Sequence, residues 1–199
     1  MVTVAAGGMP NDSDQTSEPT PPRRAGPPGM VRRIPLSVRM LFYGAFFLSI
    51  VLVGLPWLAY RLDVYVPALH VELGGFRYVG AAFAAVCLAL YVWNAYVLTS
   101  RGRGAFVEFD APTEFVSTGP YRWVRNPVAA SLIGTGLGLA VALSSTGVLV
   151  YVLLGSLLGH FQVVYVEEPL LRERFGQAYV DYLARVPRWI PRRPGEEGT

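Results

Sequence analysis

The sequence predicts an all-α polytopic membrane protein with four transmembrane helices and a C-terminal amphipathic interfacial helix, and three observations lead there. The chain of 199 residues is 52% hydrophobic and only 16% charged, against roughly 25% charged residues in soluble domains. Its uncharged runs reach bilayer length. Its arginines collect on alternate sides of those runs, as the positive-inside bias demands.

Residues 1–33 combine Glu18-Pro19-Thr20-Pro21-Pro22 with Gly and Ser, a composition that buries too little apolar surface to order itself, so a disordered cytoplasmic tail is expected. No apolar h-region occurs there, and the first hydrophobic run is therefore expected to be a retained anchor. The remainder, 34–199, reads as one membrane domain. Its first span, about 40–60, is free of charge and carries Pro56-Trp57 near its end. The second, about 78–100, has Tyr91, Trp93 and Tyr96 toward its far end, where an interfacial aromatic belt is expected. The third apolar stretch is too long for one helix and is divided by the turn formers Ser144-Ser145-Thr146-Gly147. It predicts a helical hairpin with short arms at about 128–143 and 147–166. From 169 to 185, Leu171, Phe175, Ala178, Tyr179, Tyr182 and Leu183 recur along one side, which predicts an interfacial helix with Gly176 as its weak point.

All 17 basic residues are arginine. Arg61 and Arg77 alone fall on one side of the spans, so the expected topology is multi-pass in a bacterial-type inner (plasma) membrane with both termini cytoplasmic. A net charge of +3 points away from nucleic acid, and the single Cys87 excludes an intrachain disulfide and a cysteine metal cluster. No metal site is expected, and Cys87 reads as packing. The oligomeric state is not legible.

The hairpin suggests a register. With its turn between Thr146 and Gly147, Gly134 faces Gly159 and Gly138 faces Gly155, a match of two Gly-x-x-x-Gly patterns that close packing in lipid favours. The same register brings Arg125-Asn126 and Glu167-Glu168 together at the cytoplasmic mouth. Two adjacent acids at the end of a span are costly unless they meet water, a partner charge or a ligand. One reading makes them the N-cap of a new helix beginning at Pro169; the other makes them part of a ligand site with Arg125.

The segment Thr118-Gly119-Pro120-Tyr121-Arg122-Trp123-Val124-Arg125-Asn126-Pro127, followed by Glu167-Glu168-Pro169-Leu170-Leu171-Arg172-Glu173-Arg174-Phe175-Gly176 and by Tyr179 and Tyr182, resembles the isoprenylcysteine carboxyl methyltransferases and their phospholipid N-methyltransferase relatives. The resemblance spans roughly Glu108 to Arg192. It implies S-adenosylmethionine as cofactor, contacted by Thr113, Glu114, Phe115, Val116, Tyr121, Asn126, Pro127, Val128 and Ala129, with Glu167 as the cofactor-binding acid. It implies a lipophilic or lipidated acceptor presented from the membrane lipids, either a prenyl-cysteine-like carboxylate or a lipid amine. Arg125, Glu168 and His160 are the expected catalytic residues: Arg125 for a carboxylate of cofactor or acceptor, Glu168 or His160 as base for an amine. His160 and Gln162 are polar groups at membrane depth, where an interhelical hydrogen bond is the commoner role. The chain departs from the family pattern at Ala129 and Ser131, which replace a tyrosine and a glycine, and at Val163, where eukaryotic carboxyl methyltransferases carry a substrate-side arginine. Two rival readings follow: a nicotinamide-dependent reductase of an isoprenoid or sterol-like lipid, and a non-catalytic membrane subunit with a decayed pocket.

Overall fold

A computed structural model describes residues 35–66, 71–103 and 113–191. The expected tail, 1–33, lies outside them. Among the described residues every regular element is helical. The order is α1 (Leu36–Leu48), α2 (Leu55–Tyr65), α3 (Phe76–Gly102), a 3₁₀ turn at Gly119–Arg122, α4 (Pro127–Ala142), α5 (Thr146–Gln162), α6 (Glu168–Phe175) and α7 (Gln177–Arg185).

Two of the junctions are wide turns rather than breaks. A π-helical segment, Ser49–Gly54, joins α1 to α2, and another, Val163–Glu167, joins α5 to α6. Each is followed within two residues by a proline, Pro56 or Pro169. A proline has no N–H to give and its ring collides with the carbonyl four residues back, here Leu52 or Tyr165, both inside the π segments. Widening the coil at that carbonyl lets the helix continue.

That continuation corrects the expected end of the last span. No new helix is capped at Glu167 or Glu168; the helix runs from Thr146 to Phe175 and carries both acids in its wall. It stops at Gly176, whose φ of 56° suits a residue without a Cβ. The interfacial helix expected over 169–185 divides at Gly176, its expected weak point, into the end of a long helix and the separate α7. Three stretches, Leu41–Tyr65, Phe76–Gly102 and Thr146–Phe175, are long and apolar enough to cross a bilayer. The other apolar arm, α4, has 16 residues and rises about 24 Å, short of the ~30 Å hydrocarbon core.

The hairpin register is also corrected. A Cβ on Gly138 would lie 2.6 Å from the Ala84 backbone nitrogen, and one on Gly134 would lie 2.7 Å from the Cys87 sulfur, so this glycine pair packs on α3 and not on α5. A Cβ on Gly155 or Gly159 meets nothing within 4 Å. The reason lies in α3: Gly80, Ala84, Cys87, Tyr91 and Asn94 form one buried stripe at alternating spacings of four and three, small at first and bulky later. Small residues let α3 and α4 touch, as Cys87 was expected to do. Nearer the Pro127 end, Asn94 Nδ2 bridges the two helices, donating to Pro127 O at 3.0 Å and Ser131 Oγ at 2.9 Å. Between α4 and α5 the close approach is at Gly136, where a Cβ would meet Val152 at 2.7 Å. Gly138→Leu is expected to lower the melting temperature in detergent by overpacking, on the order of 1–3 kcal/mol, whereas Gly155→Leu melts with the parent. Equal losses in both variants would restore the α4–α5 register.

At the opposite end α2 is pinned to the hairpin turn. Asp63 is buried and accepts hydrogen bonds from Ser145 Oγ and from Gly147 N, the latter at 2.9 Å. Ser145 Oγ in turn accepts from Val148 N at 3.0 Å and so caps α5. Ala59, Ala140, Val148 and Val152 fill the apolar centre beside this clamp.

Candidate active site

A cavity of about 490 Å³, within the ordinary size of ligand sites, is lined by residues of α3 and α4, the end of α5, and the segments before α4 and after Glu167. Its roof comes from the C-terminal segment. Tyr182 Oη donates to Tyr121 O at 2.6 Å, and Arg125 N donates to Pro187 O at 2.8 Å, so α7 and the turn after it are tied to the loop before α4. Glu168 strengthens the tie. Its carboxylate, 8% exposed, accepts from Arg125 Nη1 at 3.0 Å and from Arg188 Nε at 2.7 Å, and Arg188 Nη2 adds a second contact at 3.0 Å. A doubly contacted carboxylate between two guanidinium groups is strong pairing chemistry. Phe115 packs its ring 5.4 Å from Phe175, 5.9 Å from Tyr179 and 5.2 Å from Tyr182, which closes the roof with aromatic rings.

The convergence of Arg125-Asn126 with Glu167-Glu168 is present in the structure, and it divides the two acids between tasks. Glu168 turns into the ion pairs, whereas Glu167 lines the cavity and has no hydrogen bond or ion pair among the described residues. Two more polar atoms are left over: the Tyr121 hydroxyl and Arg125 Nε are buried without a partner. Burial raises the Tyr121 phenol far above its usual range, with Tyr182, Glu167 and Tyr91 adding to the effect. Burial, and then the Glu168 charge, pushes Tyr179 up to about 12. Both phenols therefore remain protonated at neutral pH.

Of the residues singled out from the sequence, Glu114, Phe115, Val116, Tyr121, Arg125, Asn126, Pro127, Val128, Ala129 and Glu167 line the cavity together. Thr113 is not in the lining; its N–H donates to Gly102 O at 2.8 Å and fastens the loop. Glu168 lies behind the wall. His160 is also outside the lining, and its Nδ1 accepts a hydrogen bond from Trp189 Nε1 at 3.0 Å, a tie to the non-helical segment after α7 and not the interhelical bond expected. Sequence reasoning missed Phe47, Tyr91, Leu98 and Leu132. Tyr91 was assigned to an interfacial belt; Trp93 and Tyr96 are exposed as a belt requires, but Tyr91 is 3% exposed and turned inward. Its position on the stripe from Gly80 was the available signal.

These features define a helical membrane protein with an aromatic-roofed pocket that carries a few charged and polar groups. Residues 76–178 match the family described as phospholipid methyltransferase, and the chain belongs to that family. Its fold is similar to a solved structure of the eukaryotic intramembrane Ras methyltransferase, isoprenylcysteine carboxyl methyltransferase. The two share 22% identity with a TM-score of 0.53 over 75% of this chain and 53% of that one. This chain thus spans about half the length of that protein. No curated protein matches the sequence.

Proposed function

We propose that the protein is an S-adenosylmethionine-dependent methyltransferase that modifies a lipophilic acceptor at the membrane interface. The observation that carries the reading is the set of unsatisfied polar groups in one cavity: a carboxylate on Glu167, a hydroxyl on Tyr121 and a donor on Arg125. They match the cofactor's chemistry. Glu167 accepts from ribose hydroxyls or an ammonium, Arg125 Nε donates to a carboxylate, and the rings of Phe115, Phe175 and Tyr179 supply a flat apolar face for a purine. When bound, the cofactor supplies an electrophilic methyl group on a sulfonium.

The chain's own part is alignment and exclusion of water, which suffice for an in-line displacement. Asn126, the N-cap residue of α4, makes no side-chain capping bond and stays available to the pocket. The Glu168–Arg125 pair orients the arginine, and the strap from Tyr182 to Arg188 covers the site. Aromatic and aliphatic walls, from Phe47 to Leu132, suit an acceptor that arrives from the bilayer.

Titration calorimetry on detergent-purified protein tests the reading against its rivals. Saturable binding of S-adenosylmethionine, with none of reduced nicotinamide cofactor, is expected. Binding of the nicotinamide alone would favour a reductase, and binding of neither a non-catalytic subunit.

A further inference from the structure

The wall that closes the cavity toward water is a short helix held at its two ends. α7 presents Tyr179 and Tyr182 to the cavity, while its other side carries the exposed Gln177, Asp181 and Arg185. At one end Gly176, with a φ of 56°, joins it to α6, and a Cβ there would meet nothing within 4 Å. A residue without a side chain, set in open space, leaves the backbone free to turn. The apolar packing of α7 is separate from that between the spans: Tyr179, Tyr182 and Val186 cluster with Phe115, Leu171 and Phe175, and none of these belongs to α1 through α5.

The far end of α7 is fastened by the strap. Pro187 O accepts from Arg125 N at 2.8 Å, Arg188 pairs with Glu168 at 2.7 Å, and Trp189 Nε1 donates to His160 Nδ1 at 3.0 Å, with the two rings 6.0 Å apart. The first two ties run through Arg125 and the carboxylate that holds it, and so belong to the site. The third does not. His160 and Trp189 are both absent from the cavity lining, so their bond is the same whether the cavity is filled or empty.

We propose that α7 and the strap form a lid hinged at Gly176, and that the His160–Trp189 hydrogen bond is its latch, which sets how fast the cofactor enters and leaves. His160 is then a positioning residue: it acts through Trp189 on the lid and touches neither cofactor nor acceptor. The assignment rests on the methyltransferase reading, which supplies the ligand that has to pass. S-adenosylmethionine is charged and water-soluble, so it reaches the cavity from the aqueous side, where α7 stands across it. Because the latch is made alike in the filled and the empty protein, its strength cancels from the affinity and remains in both rates.

Surface plasmon resonance on the full chain in detergent, with S-adenosylmethionine as analyte, tests this. His160→Leu and Trp189→Phe are each expected to speed association and dissociation about fivefold, the worth of one hydrogen bond, and to leave Kd within about twofold of the parent. The double variant is expected to be no faster than either single one, since both remove the same bond. Hydrogen exchange over 177–189, measured without cofactor, is expected to rise about fivefold in the same variants and to stay at the parent level over 128–142. Trp189→Phe keeps a ring in a segment outside the helices and carries the test if His160→Leu folds poorly. Parent rates and parent exchange in Trp189→Phe, faster dissociation with unchanged association, or additive effects in the double variant would each overturn the latch. Failure of the parent to bind S-adenosylmethionine would overturn the methyltransferase reading instead, and the exchange measurement would then decide the lid by itself.

Discussion

Glu168→Ala is expected to be the most damaging single change, lowering stability by about 3–5 kcal/mol, because it strands a buried guanidinium. The Arg125 side chain is 13% exposed, and its partner carboxylate is 8% exposed, so neither recovers much hydration when the other is removed. Arg188 is 29% exposed and can turn to water. Arg188→Gln should therefore cost less, since Arg125 keeps Glu168 and only the strap loosens. Thermal melting in detergent separates these outcomes: Glu168→Ala should melt well below Arg188→Gln, and Arg188→Gln below the parent. If Glu168→Ala melts with the parent, the ion pairs do not hold the C-terminal segment down.

The second large effect is on binding and not on the fold. Glu167→Gln keeps the size of the side chain and disturbs no hydrogen bond or ion pair among the described residues, so its melting should match the parent. A charge-assisted hydrogen bond to the cofactor is worth roughly 1.5–3 kcal/mol, which predicts a ten- to hundredfold rise in Kd for S-adenosylmethionine. Arg172→Gln, an exposed residue of α6, is the control and should bind as the parent does. Unchanged affinity in Glu167→Gln would remove Glu167 from the site.

The fold was legible where a signal was local. Uncharged runs located the helices, Ser144 to Gly147 located the hairpin turn, and Gly176 located the break before α7. What misled was assigning partners by matching patterns. Gly155 and Gly159 repeat the spacing of Gly134 and Gly138, but complementarity of the facing helix decides which pair is used, and α3 offers Gly80, Ala84 and Cys87. Pro169 reads as a helix start until the π turn at Val163–Glu167 shows how a helix passes a proline. The mouth residues were legible because charge inside a span demands an explanation; Tyr91 was not, because an aromatic near a span end already has one.

Methyl transfer itself is measured by supplying purified protein with S-adenosylmethionine carrying an isotopic methyl label and with a total membrane-lipid extract. Label is expected in an organic-soluble product, formed by the parent and by Arg172→Gln and strongly reduced in Glu167→Gln. Label that stays wholly in the aqueous phase with the parent, under conditions where the cofactor is bound, would contradict methyl transfer.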